Sequence, residues 1–117
     1  MRSTTPRPIS EDSVHSLADE QALMWRPTAE MVSVLQALAH PVRLQIVTAL
    51  CEGDTCVNVL ASRLGVAQPI ISQQLRILRM SNVVSVTREG GLALYRVART
   101  AIAELVRSLE RCCERHQ

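Results

Sequence analysis

Aromatic side chains are nearly absent from this sequence of 117 residues, which has one tryptophan, one tyrosine and no phenylalanine. Any core must therefore be aliphatic, and we expect it to be helical. The sequence also lacks an apolar run near the roughly 18–20 residues that a membrane span needs, and its N-terminal residues do not show the pattern expected of a signal peptide. These absences predict a cytoplasmic protein with no membrane partner, in which the four cysteines are thiols rather than structural disulfides.

The residue patterns of common catalytic sites are missing as well. The sequence has only three scattered histidines, no glycine-rich phosphate loop and no pairing of a nucleophile with a base. We therefore expect a protein that is not an enzyme, has no permanent cofactor and acts on no protein substrate.

Acidic residues are almost absent from the middle of the chain. Residues 55–99 contain six arginines and one acidic residue, Glu89, a net charge of +5. Residues 1–25 contain two arginines and four acidic residues, a net charge of −2. Although the whole chain has a net charge of only +2, this local basicity is typical of a surface that binds nucleic acid.

The length predicts one domain with a tail. Residues 1–24 are polar, contain Pro6 and Pro8 and show no clear periodicity, so they are interpreted as a mobile N-terminal tail. Residues 25–117 are predicted to form the folded domain. A chain of this size buries only about two-thirds of its unfolded surface, so a dimer interface could add to the core.

Residues 68–79 are the most informative segment of the chain. Pro69 suits the first turn of a helix, where its missing N–H costs no hydrogen bond. The apolar side chains recur at helical spacing and are predicted to face inward: Ile70, Ile71, Leu75 and Leu78. The other face carries amides, a hydroxyl and guanidiniums, with no carboxylate: Gln68, Ser72, Gln73, Arg76 and Arg79. Such a face suits base edges and phosphates.

Apolar periodicity predicts three helices before this segment. The first is capped by Thr28, the second ends at the segment 52–54, and the third is expected to start at Thr55 as its N-cap and to stop at Gly65. A short turn containing glycine between two short helices is typical of a helix-turn-helix, whose second helix enters the major groove.

The apolar period changes from 3.6 to 2 after Met80. Two alternating segments, 84–88 and 92–97, flank Glu89-Gly90-Gly91 and predict a β-hairpin. A hairpin directly behind a helix-turn-helix is a wing, and Arg88 is placed to touch backbone phosphate or the minor groove. Because residues 99–115 return to helical spacing, the predicted fold is mainly α with a small β-hairpin. It is a winged helix-turn-helix of order α-α-α-α-β-β-α.

Four segments, in this order and at this spacing, resemble the ArsR/SmtB family of bacterial repressors. They are Leu38-Ala39-His40-Pro41-Val42-Arg43-Leu44, Gln68-Pro69-x-x-Ser72-Gln73-Gln74-Leu75, Leu78-Arg79 and Gly90-x-x-x-x-Tyr95-Arg96. The resemblance covers about residues 28–113.

The resemblance implies a homodimer built from the first and last helices, which binds an imperfect palindrome of double-stranded operator DNA. Base contacts in the family come from the start of the recognition helix, and the matching positions are Gln68, Ser72 and Gln73. Arg76 and Arg88 match phosphate contacts. The family releases DNA when it binds a metal, a metalloid or a reactive sulfur species.

One metal site of the family is absent from this sequence. Several members bind zinc, cobalt or nickel through carboxylates and histidines paired across the last helices. The matching positions hold Arg99, Ala101, Cys112 and Arg115. Two arginines and an alanine cannot coordinate a cation.

The arsenic site of the family is a Cys-x-Cys at the start of the third helix. Cys56 matches its first thiol, and Asn58 replaces the second. Because As(III) prefers three sulfur ligands, further thiols must come from Cys51, Cys112 or Cys113. Soft thiolates select As(III), Cd(II), Pb(II) or Hg(II). The first hypothesis is a repressor that is released from its operator when these thiolates bind a soft metal or metalloid. Arsenite is the first choice of inducer, followed by Cd, Pb or Hg.

The second hypothesis is a redox or persulfide switch. Relatives of this kind oxidise one cysteine of the second helix and one of the last helix to a disulfide or polysulfide bridge. The second-helix position is Thr48 here, and Cys51 lies one helical turn, about 5.4 Å, later. Two alternatives remain open. The cysteines only pack as small apolar side chains, or the whole chain is an interaction module that has lost DNA binding.

Overall fold

The computed structural model describes residues 28–114. Its elements are α1 (Ala29–Leu38), α2 (Pro41–Leu50), α3 (Val57–Leu64), α4 (Gln68–Met80), β1 (Val84–Glu89), β2 (Leu92–Val97) and α5 (Thr100–Cys113). This order confirms the predicted winged helix-turn-helix. The predicted tail, residues 1–24, lies outside the described residues. No described helix is both long and apolar enough to cross a membrane.

Local side-chain chemistry sets the first helix boundaries. The hydroxyl of Thr28 accepts the N–H of Met31 at 3.1 Å and caps α1, as predicted. The ring Nδ1 of His40 accepts the N–H groups of Val42 and Arg43, and Pro41 occupies the first turn of α2. The chain therefore bends between α1 and α2 without leaving the first donors of α2 unpaired.

The α3 boundaries confirm one prediction and correct another. Gly65 ends the helix at φ 65°, a left-handed conformation that glycine adopts without strain. The prediction that Thr55 caps α3 was wrong, because the N-cap is Cys56. The backbone of Thr55 instead exchanges two hydrogen bonds with Tyr95, at 3.1 and 2.7 Å, and is held as a short extended bridge beside β2.

The wing is a two-stranded antiparallel hairpin. Its register runs from Val84 opposite Val97 to Glu89 opposite Leu92. The two-residue turn has φ 59° at Gly90 and 81° at Gly91, and left-handed values at both positions suit a tight hairpin turn.

The core lies between α2, α3, α4, α5 and the start of β1. Its largest fully buried side chains are Ile46, Leu60, Ile71, Leu75, Leu78, Val47, Val83 and Val106. Each such aliphatic side chain contributes about 1.5–3 kcal/mol through burial. The prediction that Ile70 faces inward was wrong, since 44% of Ile70 is exposed whereas Ile71 is fully buried. The buried stripe of α4 is spaced by four and three residues from Ile71, and Ile70 lies about 100° away from it.

Candidate nucleic-acid interface and thiol sites

The outer face of α4 is polar and solvent-exposed. Gln68, Ser72, Gln73 and Arg76 are all exposed, while the opposite face is buried in the core. Residues three or four positions apart are neighbours on a helix, so these side chains form one continuous surface. The predicted DNA-contacting residues of α4 are therefore brought together, next to the tight turn at 65–67 that joins α3 to α4.

Two arginines predicted to contact phosphate, Arg76 and Arg88, form no ion pair with an acidic side chain in the described part of the chain. In the described part of the chain the ion pairs are Arg63–Glu52 (2.7 Å), Arg96–Asp54 (3.2 Å) and Arg99–Glu30. Arg76 of α4 and the exposed Arg88 of the wing take part in none of them. Their charges thus remain available to an anionic partner such as the phosphate backbone.

Arg43 fixes the position of α4 relative to the helices before it. Its Nε donates to the carbonyl oxygen of Ala37 at 2.7 Å, and its Nη1 donates to Oε1 of Gln74 at 3.0 Å. One guanidinium on α2 therefore joins the end of α1 to the recognition helix. The sequence motif contains Arg43, but it gave no sign that Gln74 is its partner.

The four cysteines lie at three places. Cys51 follows the last turn of α2 and Cys56 precedes α3, and both are half-buried. Cys112 and Cys113 are exposed in the last turn of α5. Within residues 28–114 of one chain, no group of three or more Cys, His, Asp or Glu side chains is arranged to hold a metal ion.

A groove of about 700 Å³ separates α2 from α5. Leu44 and Thr48 of α2 line it together with Cys113 of α5, whereas Cys112 does not. The vicinal cysteines thus face different surroundings, as the 100° between successive helical residues requires. The structure therefore places Thr48 across the groove from Cys113, at the second-helix position that the sequence had marked as missing its thiol.

Cys51 lies against an earlier part of α5. Nη2 of Arg107 donates to the carbonyl oxygen of Cys51 at 2.8 Å. Burial raises the pKa of the Cys51 thiol; the charge of Arg107 opposes this effect, and those of Glu110 and Glu52 reinforce it. Because only the thiolate is a good nucleophile, this shift makes Cys51 less reactive than an ordinary cysteine at the same pH. The sequence could not reveal the Arg107 contact, since its acceptor is a backbone carbonyl.

The loop that contains Cys51 and Cys56 is tied to the wing. Thr55 pairs with Tyr95 of β2 through the two backbone hydrogen bonds, and Asp54 forms the ion pair with Arg96 of the same strand. Together with the Arg107 contact, these interactions make the loop a junction between α5 and the wing.

Apolar side chains on α1 and α5 remain exposed in the single chain. They are Met31, Val32, Leu35, Leu105 and Leu109. Leu35 and Leu105 line one open groove of about 240 Å³, at whose edge Glu30 pairs with Arg99. Arg99 and Ala101, both at positions of the absent metal site, are exposed, and Arg115 lies outside the described residues.

Comparison with known proteins settles the family. Residues 40–86, which span α2, the helix-turn-helix and the start of the wing, match the model of bacterial regulatory proteins of the arsR family. The chain is 40% identical over 86 residues to the biofilm growth-associated repressor of Xylella fastidiosa, covering 74% of this chain and 75% of the relative. The chain belongs to the ArsR family.

Solved structures of ArsR-like regulators share the fold. Reduced HlyU from Vibrio cholerae superposes with a TM-score of 0.71 at 31% identity, over 78% of this chain and 96% of HlyU. The homodimeric winged helix-turn-helix DNA-binding domain of Mb0332 from Mycobacterium bovis gives 0.68 at 27% identity, over 92% of this chain and 90% of that domain. This ArsR-family chain is thus a DNA-binding transcriptional repressor by family, and the named relatives are regulators rather than enzymes.

Proposed function

We propose that this ArsR-family repressor binds its operator as a homodimer and is released when a thiol of α5 becomes bonded to the α2–α3 junction. The observation that carries the proposal is the groove between α2 and α5, in which Cys113 faces Thr48 while Cys51 lies one turn further along the chain, beside Arg107.

Operator recognition rests on the exposed face of α4. Amides and a hydroxyl at the start of a recognition helix pair with base edges in the major groove, which suits Gln68, Ser72 and Gln73. Arg76 and Arg88 then contact phosphate, because their guanidiniums are exposed and make no ion pair in the described chain. The basic middle of the chain steers it toward DNA of any sequence.

A second copy of the chain is the partner that fits the exposed face of α1 and α5. Leu35, Leu105 and Leu109 place apolar area in water, and burying it against the same face of another copy stabilises a symmetric dimer. Two recognition helices related by a two-fold axis read an imperfect palindrome with half-sites one helical turn apart.

A two-thiol bridge requires the fewest groups. Two thiols lose two protons and two electrons as one S–S bond forms, and the oxidant is a peroxide that becomes water or a polysulfide that becomes hydrogen sulfide. Cys51 lies beside Arg107, which precedes Cys113 on α5 by nearly two helical turns, about 9 Å along the helix axis. A bridge between Cys51 and Cys113 therefore needs either a shift of α5 along α2 or extra sulfur atoms between the two side chains.

The bridge has a direct mechanical route to DNA. Pulling Cys51 toward the end of α5 strains the Arg107 contact and the junction loop, which holds β2 through Thr55 and Asp54. The wing then shifts relative to α4. A coupling free energy of about 1–3 kcal/mol between formation of the thiol bridge and operator binding is enough to lower operator affinity about 5- to 150-fold.

Binding of a soft metal or metalloid is the second candidate, with arsenite first and Cd, Pb or Hg next. The four thiols favour it. Because the described part of one chain offers no group of three ligands, As(III) would need at least one thiolate from a second subunit.

Operator binding by the reduced protein distinguishes these candidates. Arsenite, Cd(II) and inorganic polysulfide are each added, and the product is weighed by mass spectrometry. We expect polysulfide to weaken binding at least about five-fold and to leave a bridge between Cys51 and Cys113. Cys113→Ser should abolish the response, whereas the adjacent Cys112→Ser should retain it.

Two outcomes oppose the bridge. A response to arsenite alone, with three sulfur ligands by X-ray absorption, supports the metal candidate. A polysulfide response that survives Cys113→Ser places the sensor elsewhere.

Thr48→Cys is a matched gain-of-function variant: a thiol facing Cys113 across the groove should form a direct disulfide with peroxide alone.

A further inference from the structure

Exposed large apolar side chains occur on several elements of the described chain, and the proposed dimer covers only those of α1 and α5. Those of α1 and α5 lie on the proposed dimer face. Ile70 lies instead on the recognition helix, and 44% of it is exposed. Its exposure is therefore not accounted for by subunit contact.

Ile70 stands among the groups proposed to read bases. It is in the first turn of α4, where its N–H donates to the carbonyl of Ala67 at 3.0 Å. It follows the exposed Pro69 and precedes Gln73 by three residues, so Ile70 and Gln73 are neighbours on the helix surface. On its other side, Gln74 is held by Arg43 of α2. Ile70 thus marks the apolar edge of the base-reading surface.

The major groove offers an aliphatic side chain one apolar group, the 5-methyl of thymine. We infer that Ile70, beside the apolar ring of Pro69, contacts a thymine methyl in each half-site and selects thymine at that position. The inference rests on the proposed operator binding. The polar residues beside Ile70 read the neighbouring base pairs. Ile70 distinguishes thymine from cytosine because it contacts the methyl group of thymine and offers no acceptor to the exocyclic amine of cytosine.

The test starts from DNA selected out of a random pool by the reduced wild-type protein. Each thymine of the selected half-site is replaced in turn by deoxyuridine, which lacks only the methyl. At one position the wild type should lose about four-fold in affinity per half-site, the value of one buried methyl-sized group. Ile70→Ala should bind the thymine operator with about the same loss and should be indifferent to deoxyuridine there.

The controls separate this inference from the function beneath it. Met80→Ala removes a 77% exposed side chain about 15 Å further along α4 and should keep the full deoxyuridine effect. If no sequence is selected, operator binding itself fails. If a sequence is selected but no deoxyuridine weakens the wild type, or if the loss persists in Ile70→Ala, the assignment of Ile70 is wrong. The wild-type scan needs no variant to fold.

Discussion

Helices α4 and α5 are both amphipathic and of nearly equal length, yet buried side chains span most of α4 and only the first half of α5. Ile71, Leu75 and Leu78 of α4 are fully buried, and its outer face is polar. In α5 only Ile102 and Val106 are buried, while Leu105 and Leu109 remain in water. Under the proposed function the difference separates two tasks: α4 presents its polar face to DNA, whereas the exposed apolar side chains of α5, together with those of α1, form an unfinished surface that a second subunit would cover.

The largest effect should come from charging the unfinished surface. Leu35→Glu places a carboxylate on the apolar face of α1, where 54% of Leu35 is exposed. An unpaired charge buried in an interface costs about 3–5 kcal/mol, so we expect a monomer by sedimentation and at least a 100-fold loss of operator affinity. Gln45→Glu, on the exposed side of α2, carries the same charge change and should remain dimeric. A dimeric Leu35→Glu protein would place the interface elsewhere.

An intermediate effect should distinguish two kinds of contact on the DNA-facing side. Gln73→Ala should cost about 1–3 kcal/mol on the selected operator and almost nothing on random DNA, because an amide reads base edges. Arg88→Ala should weaken both DNAs similarly and reduce the salt dependence by about one released counterion. Fluorescence anisotropy at several salt concentrations measures both. Identical behaviour of the two variants would contradict this division of roles.

The smallest effect concerns the thiol next to α5. The pKa of Cys51 is raised, mainly by burial, so its thiolate fraction at pH 7–8 is below that of an ordinary cysteine and increases as pH rises. In a chain with the other three cysteines changed to serine, alkylation should accelerate with pH. Glu110→Gln removes a charge that raises the pKa and should speed the reaction about two- to three-fold at fixed pH.

The opposite sign is expected when the opposing charge is removed. Arg107→Gln should slow alkylation of Cys51, because the guanidinium favours the thiolate. Equal rates in the two variants would show that α5 does not lie beside Cys51 in solution.

Local patterns predicted the fold well, and tertiary contacts account for what they missed. The order of helices and the hairpin follow from apolar period and turn glycines, both of which are local. The capping role given to Thr55 failed because its backbone pairs with Tyr95, forty residues later. The prediction that Ile70 is buried failed because Ile70 lies just outside the buried stripe of α4, which begins at Ile71.

The candidate sites divide in the same way. The polar side chains of α4 that are proposed to face DNA could be named from the pattern of that one helix. The surroundings of the cysteines depend on how α5 lies against α2, and no pattern within either helix specifies the contact between Arg107 and the carbonyl of Cys51.

Arg43 also bears on the architecture of the operator. Its guanidinium spans from the carbonyl of Ala37, at the end of α1, to the amide of Gln74 in α4. In a dimer joined through α1, the connection that Arg43 makes between α1 and α4 helps to set the distance between the two recognition helices. On the proposed function, the number of base pairs between half-sites would then depend in part on the length of one side chain, that of Arg43.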